Sequence, residues 1–463
     1  MPPPPETQYR QRSLWLDGLA GSLTPRPSLD ADVETDVAIL GAGFTGLWTA
    51  YYLSILDPSL RIAVVEREIA GFGASGRNGG WVSAFIAGSA GTYSRSTNAD
   101  AVLRAERQTF AAVEEIGRVV TAEGIDCGFA HHGSATIAYS EPQRQRLTAG
   151  LAAKRARGIS ETDLRLLSRA EIDEYVHTPG ALAATFSPHC ARVDPARLVR
   201  SLADVCQRRG VTIYERSPAV VEPGRLRGER GSVKSPMIVR ATESFSIEAQ
   251  GSRRRFLPLY SLMIATEPLP DAAWNEIGWR EGLTISDVHH LFFYAQRTVD
   301  GRIAIGGRGA PYKLGSPIDA AHERNATVRA RLEGSIRRHF PAAADAAITH
   351  HWGGSLAVPR DWCMSVTIDR AHGTAWSGGY GGHGVVAAHV GGRTLAELIL
   401  NRPSERTELP WVGHRSRNWE PEPLRFLASQ AIISVLGSAD RAEDRSGRRA
   451  RRTKLVAPFV LPR

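Results

Sequence analysis

Three glycine-rich stretches carry the types and spacings that do chemistry. The first reads Gly41-Ala-Gly43-Phe44-Thr45-Gly46, with Glu66 twenty residues further on. Glycines at these places permit a tight turn, let the backbone approach a pyrophosphate, and let a helix pack close to a strand. The helix that opens there offers free N–H groups and a positive dipole end to phosphate. Glu66 can accept hydrogen bonds from ribose hydroxyls, and its charge disfavours a 2′-phosphate. The second stretch is Gly71-Phe-Gly73-Ala74-Ser75-Gly-Arg77-Asn78-Gly79-Gly80-Trp81, and the third is Trp376-Ser-Gly-Gly379-Tyr380-Gly381-Gly382-His383-Gly384. The first motif alone leaves NAD and FAD both open.

The elements around these stretches must place them. Residues 36–40 and 61–66 are apolar and strand-like, and a helical pattern from Phe44 to about Leu56 joins them into a βαβ unit. That context makes the glycine motif a dinucleotide fingerprint rather than a chance turn. Helices are expected over 99–124, 141–158, 317–340 and 384–400. Asp194-Pro195 starts another, with Asp194 as N-cap and Pro195 at the first position. Residues 128–138 and several stretches within 236–305 read as strands of a mixed sheet.

Bulk properties exclude several classes. The 463 residues carry a formal net charge of +9, but eight basic and two acidic residues fall between Arg441 and Arg463. The remainder is close to neutral, so no nucleic-acid footprint is expected over the body of the chain. Four widely spaced cysteines argue against disulfide or zinc frameworks, and His131-His132 lack a third ligand at metal spacing. No metal is expected. Neither a secretory leader nor a run of about 18 apolar residues is present, so a cytoplasmic location is the expectation. The basic end is read as a solvated terminus, with weak contact to an anionic membrane surface as the alternative.

The second glycine stretch resembles the flavin-contacting loop of the D-amino-acid oxidase-like superfamily, which includes glycine oxidase, sarcosine oxidase and gamma-glutamylputrescine oxidase. Asp194-Pro-Ala-Arg-Leu-Val199, Val239-Arg-Ala-Thr-Glu243 and the third glycine stretch resemble later segments of the same family, in its order, over roughly residues 30–400. The resemblance implies an α/β fold: a Rossmann-like FAD-binding domain with a second, α+β substrate domain on a mixed or antiparallel sheet. It implies FAD-domain segments at 30–100, 191–250 and 346–410, substrate-domain segments at 101–190 and 251–345, and a helical appendix with a basic tail at 411–463. Extended FAD would meet Gly41, Gly43, Phe44, Thr45 and Gly46 at the pyrophosphate, Glu66 and Arg67 at the adenosine ribose, and Val220 at the adenine. Gly73, Ala74 and Ser75 would meet phosphate, Arg77 to Trp81 the flavin, and Gly379 to Val385 its pyrimidine end.

The reaction implied is hydride loss from the carbon next to an amine nitrogen, giving an imine that hydrolyses, with O2 or another acceptor closing the cycle. His383, Tyr294 and Trp81 are the candidate catalytic side chains, with Tyr260 beside them in an aromatic wall. Relatives that clamp a substrate carboxylate carry an arginine soon after a Trp-x-Gly turn. Here Trp352-Gly-Gly-Ser-Leu356 has none, with Arg360 as a late substitute, so an amine is favoured over a free α-amino acid. Near Ala304 no lysine takes the place of the one that aids oxygen chemistry in sarcosine oxidases. Cys363 stands where those enzymes link flavin covalently; a buried free thiol and non-covalent FAD is the preferred reading. Rival readings are a flavin-linked hydroxy-acid dehydrogenase and a non-catalytic flavoprotein.

Overall fold

The computed structural model describes residues 6–249, 251–309 and 312–456. One six-stranded sheet has the order Ser365–Asp369, Thr374–Gly378, Met237–Arg240, Val37–Leu40, Ile62–Val65, Thr212–Tyr214. Its neighbours run parallel except the first two, which pair antiparallel. Val37–Leu40 and Ile62–Val65 are nearly continuous runs of buried apolar residues, as strands covered on both faces must be. Helix Phe44–Leu56 crosses between them, and helices Pro195–Arg208 and Gly384–Ile399 flank it. A Cβ at Gly392 would lie 2.8 Å from Trp48 Cβ, so helix Gly384–Ile399 sits nearly backbone-to-backbone on helix Phe44–Leu56. Asp194 accepts from the N–H groups of Ala196 and Arg197, which fixes the start of Pro195–Arg208 as its sequence predicts.

The second large sheet has eight strands in the order Ile348–Val358, Leu257–Thr266, Ile303–Arg308, Phe293–Arg297, Thr284–Asp287, Ser134–Ala138, Ala183–Ser187, Arg165–Leu167. It is mixed: only Thr284–Asp287 and Ser134–Ala138 run parallel. Leu262, Ile264, Ile303 and Ile305 of this sheet join Leu332 and Ile336 of helix Ala326–His339 in a common core. Together the two sheets give the mixed α/β fold expected. A smaller four-stranded sheet holds Val33–Glu34, Ser232–Lys234, Arg225–Gly228 and Ala219–Glu222.

Several elements differ from their sequence expectations. The helix expected from 317 begins at Ala326, where Asn325 accepts from Val328 N–H. Asp319 instead caps a separate short turn, Ala320–His322. The strand expected over 128–138 is confined to Ser134–Ala138, because the chain turns at Gly128 and Gly133. Ile348–Val358, placed by sequence with the cofactor segments, pairs along its length with Leu257–Thr266 in the eight-stranded sheet. The C-terminal helix of the appendix runs Leu424–Ser446. Polar contacts hold its far end on the second sheet: Asp440 accepts from His290 and Leu291 N–H, and Glu443 pairs with Arg146 at 2.6 Å. Among the described residues no helix is long and apolar enough to cross a membrane.

Candidate active site

The first glycine turn leaves Val37–Leu40 and enters helix Phe44–Leu56. Gly41 has φ +106°, a region that side chains with a Cβ avoid. A Cβ on Gly46 would fall 2.0 Å from the Gly41 carbonyl oxygen, so only glycine lets the helix start this close to the turn. Glu66 stands at the end of the neighbouring strand, its carboxylate accepting from Ala42 N–H at 2.8 Å and Glu68 N–H at 2.9 Å. Burial raises its pKa above the ordinary carboxylate value.

The second glycine stretch folds against the first. Phe44 N–H donates to Ser75 Oγ at 2.9 Å, tying the two turns together. Asn78 closes its own loop, donating to the Ala74 and Ser75 carbonyls and accepting from Gly80 N–H. Arg77 lines the cavity below, but its guanidinium is spent on protein. It pairs with Glu323 at 2.7 Å and donates to the Gly353 and Gly73 carbonyls. Trp81 meets the Tyr294 ring edge-on at 6.2 Å, and Tyr294 shares a 2.9 Å hydrogen bond with Ser261.

In the third stretch His383 is the N-cap of helix Gly384–Ile399. Tyr380 hydroxyl bonds Thr45 at 2.8 Å and Ser377 at 2.9 Å, linking this stretch to the first glycine turn. Glu243, the last residue of the quoted segment Val239-Arg-Ala-Thr-Glu243, is a further site residue that the glycine motifs do not announce. Its carboxylate accepts from Gly379 N–H at 3.0 Å and Tyr380 N–H at 3.3 Å. Burial pushes its pKa up to about 7, opposed by those backbone donors.

All three stretches line one continuous cavity of about 1720 Å³. A single small-molecule site runs about 300–1,000 Å³, so this space suits a dinucleotide and a second reactant together. Its wall brings together Gly41, Gly43, Phe44, Thr45, Glu66, Arg67, Gly73, Ala74, Ser75, Arg77, Asn78, Gly79, Trp81, Val220, Tyr294, Tyr380, Gly382, His383, Gly384 and Val385. Gly46, Gly80, Gly379 and Gly381 lie behind it as packing and turn residues. Tyr260 and Arg360 do not reach it. Tyr260 hydroxyl donates to the Pro317 carbonyl, and Arg360 pairs with Glu420 at 3.1 Å while stacking on Trp419. Cys363 is also off the wall. Its thiol donates to the Asp361 carbonyl and accepts from Ser89 N–H, and burial raises its pKa to about 12.

A matching family model spans residues 36–398 and is described as FAD dependent oxidoreductase. The chain belongs to this family. It is 25% identical over 393 residues to the gamma-glutamylputrescine oxidoreductase of Escherichia coli K12, covering 82% of this chain and 87% of that one. Among solved structures it resembles L-proline dehydrogenase from P. horikoshii, with TM-score 0.66 and 18% identity over 82% of this chain and 96% of that one. It also resembles glycine oxidase from Geobacillus kaustophilus, with TM-score 0.66 and 17% identity over 80% and 96%.

The residues of this FAD dependent oxidoreductase fit an extended FAD. A Cβ at Gly43 would lie 2.9 Å from Ser75 Oγ, so the phosphate cradle admits backbone only. Trp81 Nε1, Arg240 Nε and Trp376 Nε1 are buried donors without protein partners, and all three residues line the cavity. Such donors need an acceptor. The flavoprotein cavity also takes in residues that no motif announced. Glu106, Lys154 and Arg157 stand on one side, and Arg449, Thr453, Lys454 and Val456 come from the basic end. Two further clusters gather ligand-type atoms: Asp361, Cys363 and His414, and His290, Asp440 and Glu443. In both, the carboxylates already accept hydrogen bonds from neighbouring groups.

Proposed function

We propose that this chain oxidises the C–N bond of an amine, in preference to a free α-amino acid. One observation carries the reading: Trp81, Tyr294 and His383 line the same cavity as the glycine cradles. When bound, FAD supplies the electron acceptor, taking a hydride from the carbon beside the substrate nitrogen. Trp81 and Tyr294 form an aromatic corner that orients the carbon chain and excludes water. Ser261 fixes the Tyr294 hydroxyl, giving the corner a defined polar point. His383, the N-cap of helix Gly384–Ile399, lines the same cavity and offers an imidazole to the substrate nitrogen. The preference for an amine is supported by two guanidinium groups around the Trp352 turn being engaged by protein: Arg77 by Glu323 and the Gly353 carbonyl, and Arg360 by Glu420. The relative named for gamma-glutamylputrescine points the same way. We propose that the flavin is held without a covalent bond, because the Cys363 thiol sits behind the wall.

The test is an anaerobic screen of amines, α-amino acids and hydroxy acids against the yellow protein. Amines are expected to bleach the flavin absorbance and release aldehyde. Bleaching by hydroxy acids alone, or by nothing, overturns the reading. A second reading concerns the acceptor. The position of Ala304 carries no ammonium group and is buried off the cavity, which supports slow reoxidation by O2 and a different physiological acceptor. Reoxidation of the bleached protein by air within milliseconds would contradict that.

A further inference from the structure

Helix Leu424–Ser446 is docked the wrong way round for a surface helix, which normally turns its apolar stripe to the core. Its buried residues are Arg425, Ser429, Leu436, Ala439, Asp440 and Glu443, and only two of these are apolar. Polar bonds hold this side down. Arg425 donates to the Arg253 carbonyl at 3.0 Å and to Ser316 Oγ at 2.6 Å, and Gln430 donates to the Tyr312 carbonyl at 2.9 Å. The opposite side is apolar. Leu424 and Leu427 are each 58% exposed, and Ala428 and Ala431 are exposed beside them. With half-buried Val435 they recur at helical spacing and share one face. Leu314 extends the patch from the turn whose Gly315 N–H donates to Glu422.

Beyond this stripe the surface is basic. Arg441, Arg445, Arg448, Arg449, Arg451, Arg452 and Lys454 are exposed, and none forms an ion pair among the described residues. The two acids of the segment are turned to the body: Glu443 pairs with Arg146, and Asp444 with His289 at 3.0 Å and Arg338 at 3.3 Å. Arg452 donates to Ser438 Oγ at 3.2 Å, and Ser438 continues the outward face. The folded-back basic segment thus lies along the apolar stripe, and its Leu455 is 75% exposed.

The pairing of the two features selects the partner. A nucleic acid would meet the cations and leave the leucines in water. A second copy presenting the same face would cover the leucines but set cations against cations. A bilayer with anionic headgroups takes both, leucines at the acyl boundary and cations on the headgroups. We propose that the outward face of helix Leu424–Ser446, with residues 448–455, docks on an anionic lipid bilayer. Leu436, Arg449 and Lys454 of the same appendix line the cavity, so docking brings that end of the cavity beside lipid. The docking is independent of which substrate is oxidised.

Co-sedimentation of the FAD-loaded full chain with vesicles tests it. Binding is expected to vesicles of phosphatidylcholine mixed with phosphatidylglycerol, to be far weaker on phosphatidylcholine alone, and to fall as salt rises from about 0.1 M to about 1 M. Arg448→Gln with Arg451→Gln should lower the partition onto anionic vesicles about 25-fold, or about fivefold for each cation lost. Leu424→Gln with Leu427→Gln should lower it by at least about tenfold at both salt concentrations, because the apolar contribution is not screened. All four side chains are exposed, so flavin content and melting temperature should match the parent in both variants. No binding to the anionic vesicles at the lower salt overturns the proposal, as does equal binding to both lipid mixtures or a leucine variant that binds like the parent. Sedimentation equilibrium covers the rival occupant: a dimer that Leu424→Gln with Leu427→Gln converts to a monomer would assign the stripe to a second copy and overturn the bilayer.

Discussion

The two ends of the cavity are built by different means. At the cofactor end the wall is backbone: three glycine stretches, two of them tied by a Ser75–Phe44 hydrogen bond and two by the Tyr380–Thr45 pair. At the end where we propose the substrate binds, the wall is side chains from separate segments, including Trp81, Tyr294 and Ser261. A backbone wall has no identity beyond its shape, so it demands glycine and tolerates little else. A side-chain wall can change its ligand by changing one residue. The first end should fail abruptly when altered, and the second should retune.

The largest effect is expected at Gly46. Valine there drives a side chain into the Gly41 carbonyl oxygen, 2.0 Å away from the position of a Cβ. We expect a colourless protein, with FAD affinity down about 100-fold, or ~2.7 kcal/mol. Overpacking should also remove about 1–3 kcal/mol of stability. Flavin content and melting temperature check both; a yellow Gly46→Val protein would break the contrast between the ends. Next comes Tyr294→Phe, which removes only the hydroxyl bonded to Ser261. It should keep full FAD content and lose about tenfold in the rate of anaerobic flavin reduction.

Glu243 sharpens the comparison because it is a side chain within the backbone-built end. Its carboxyl is raised to about 7 from the ordinary 4.5. The folded form therefore binds a proton that the unfolded chain has released over this window. That contribution to stability is full below about 4.5 and is lost as pH rises through 7. Glu243→Gln should flatten the fall in melting temperature between pH 5 and pH 8 by a few degrees. Some fall should persist, because Asp194, raised to about 6 by burial, titrates in the same direction. An unchanged slope would contradict this. The smallest effect is expected for Cys363→Ser. Acid precipitation should release yellow flavin from both this variant and the parent, with no change in flavin content. Colour held in the parent's pellet alone would establish a covalent bond.

This contrast also explains what the sequence disclosed. Gly41, Gly43 and Gly46 were legible because a close backbone approach allows few other residues, and the surrounding strand–helix–strand pattern came from local periodicity. The third stretch was legible for the same reason, as was the Asp194-Pro195 helix start. Arg77 was legible only as a wall residue. Its partner Glu323 comes from a distant segment, and nothing local announces that the guanidinium is already engaged. Glu106, Lys154 and Arg157 read as ordinary polar positions of two helical stretches, the second of them basic and polar. Only tertiary packing turns them inward to the cavity wall. The basic end was read as solvated, yet Arg449 and Lys454 reach the cavity wall, because Asp440 and Glu443 dock the helix before them.

The central claim is that one cavity holds FAD at a backbone-built end and an amine at a side-chain-built end. The most direct measurement is an anaerobic titration of the FAD-loaded protein with γ-glutamylputrescine, followed by absorbance, with flavin released by denaturation counted against chains. The account predicts one flavin per chain, fully bleached by one equivalent of amine. A protein that binds no flavin, or that holds one flavin per chain which no amine reduces, would contradict it.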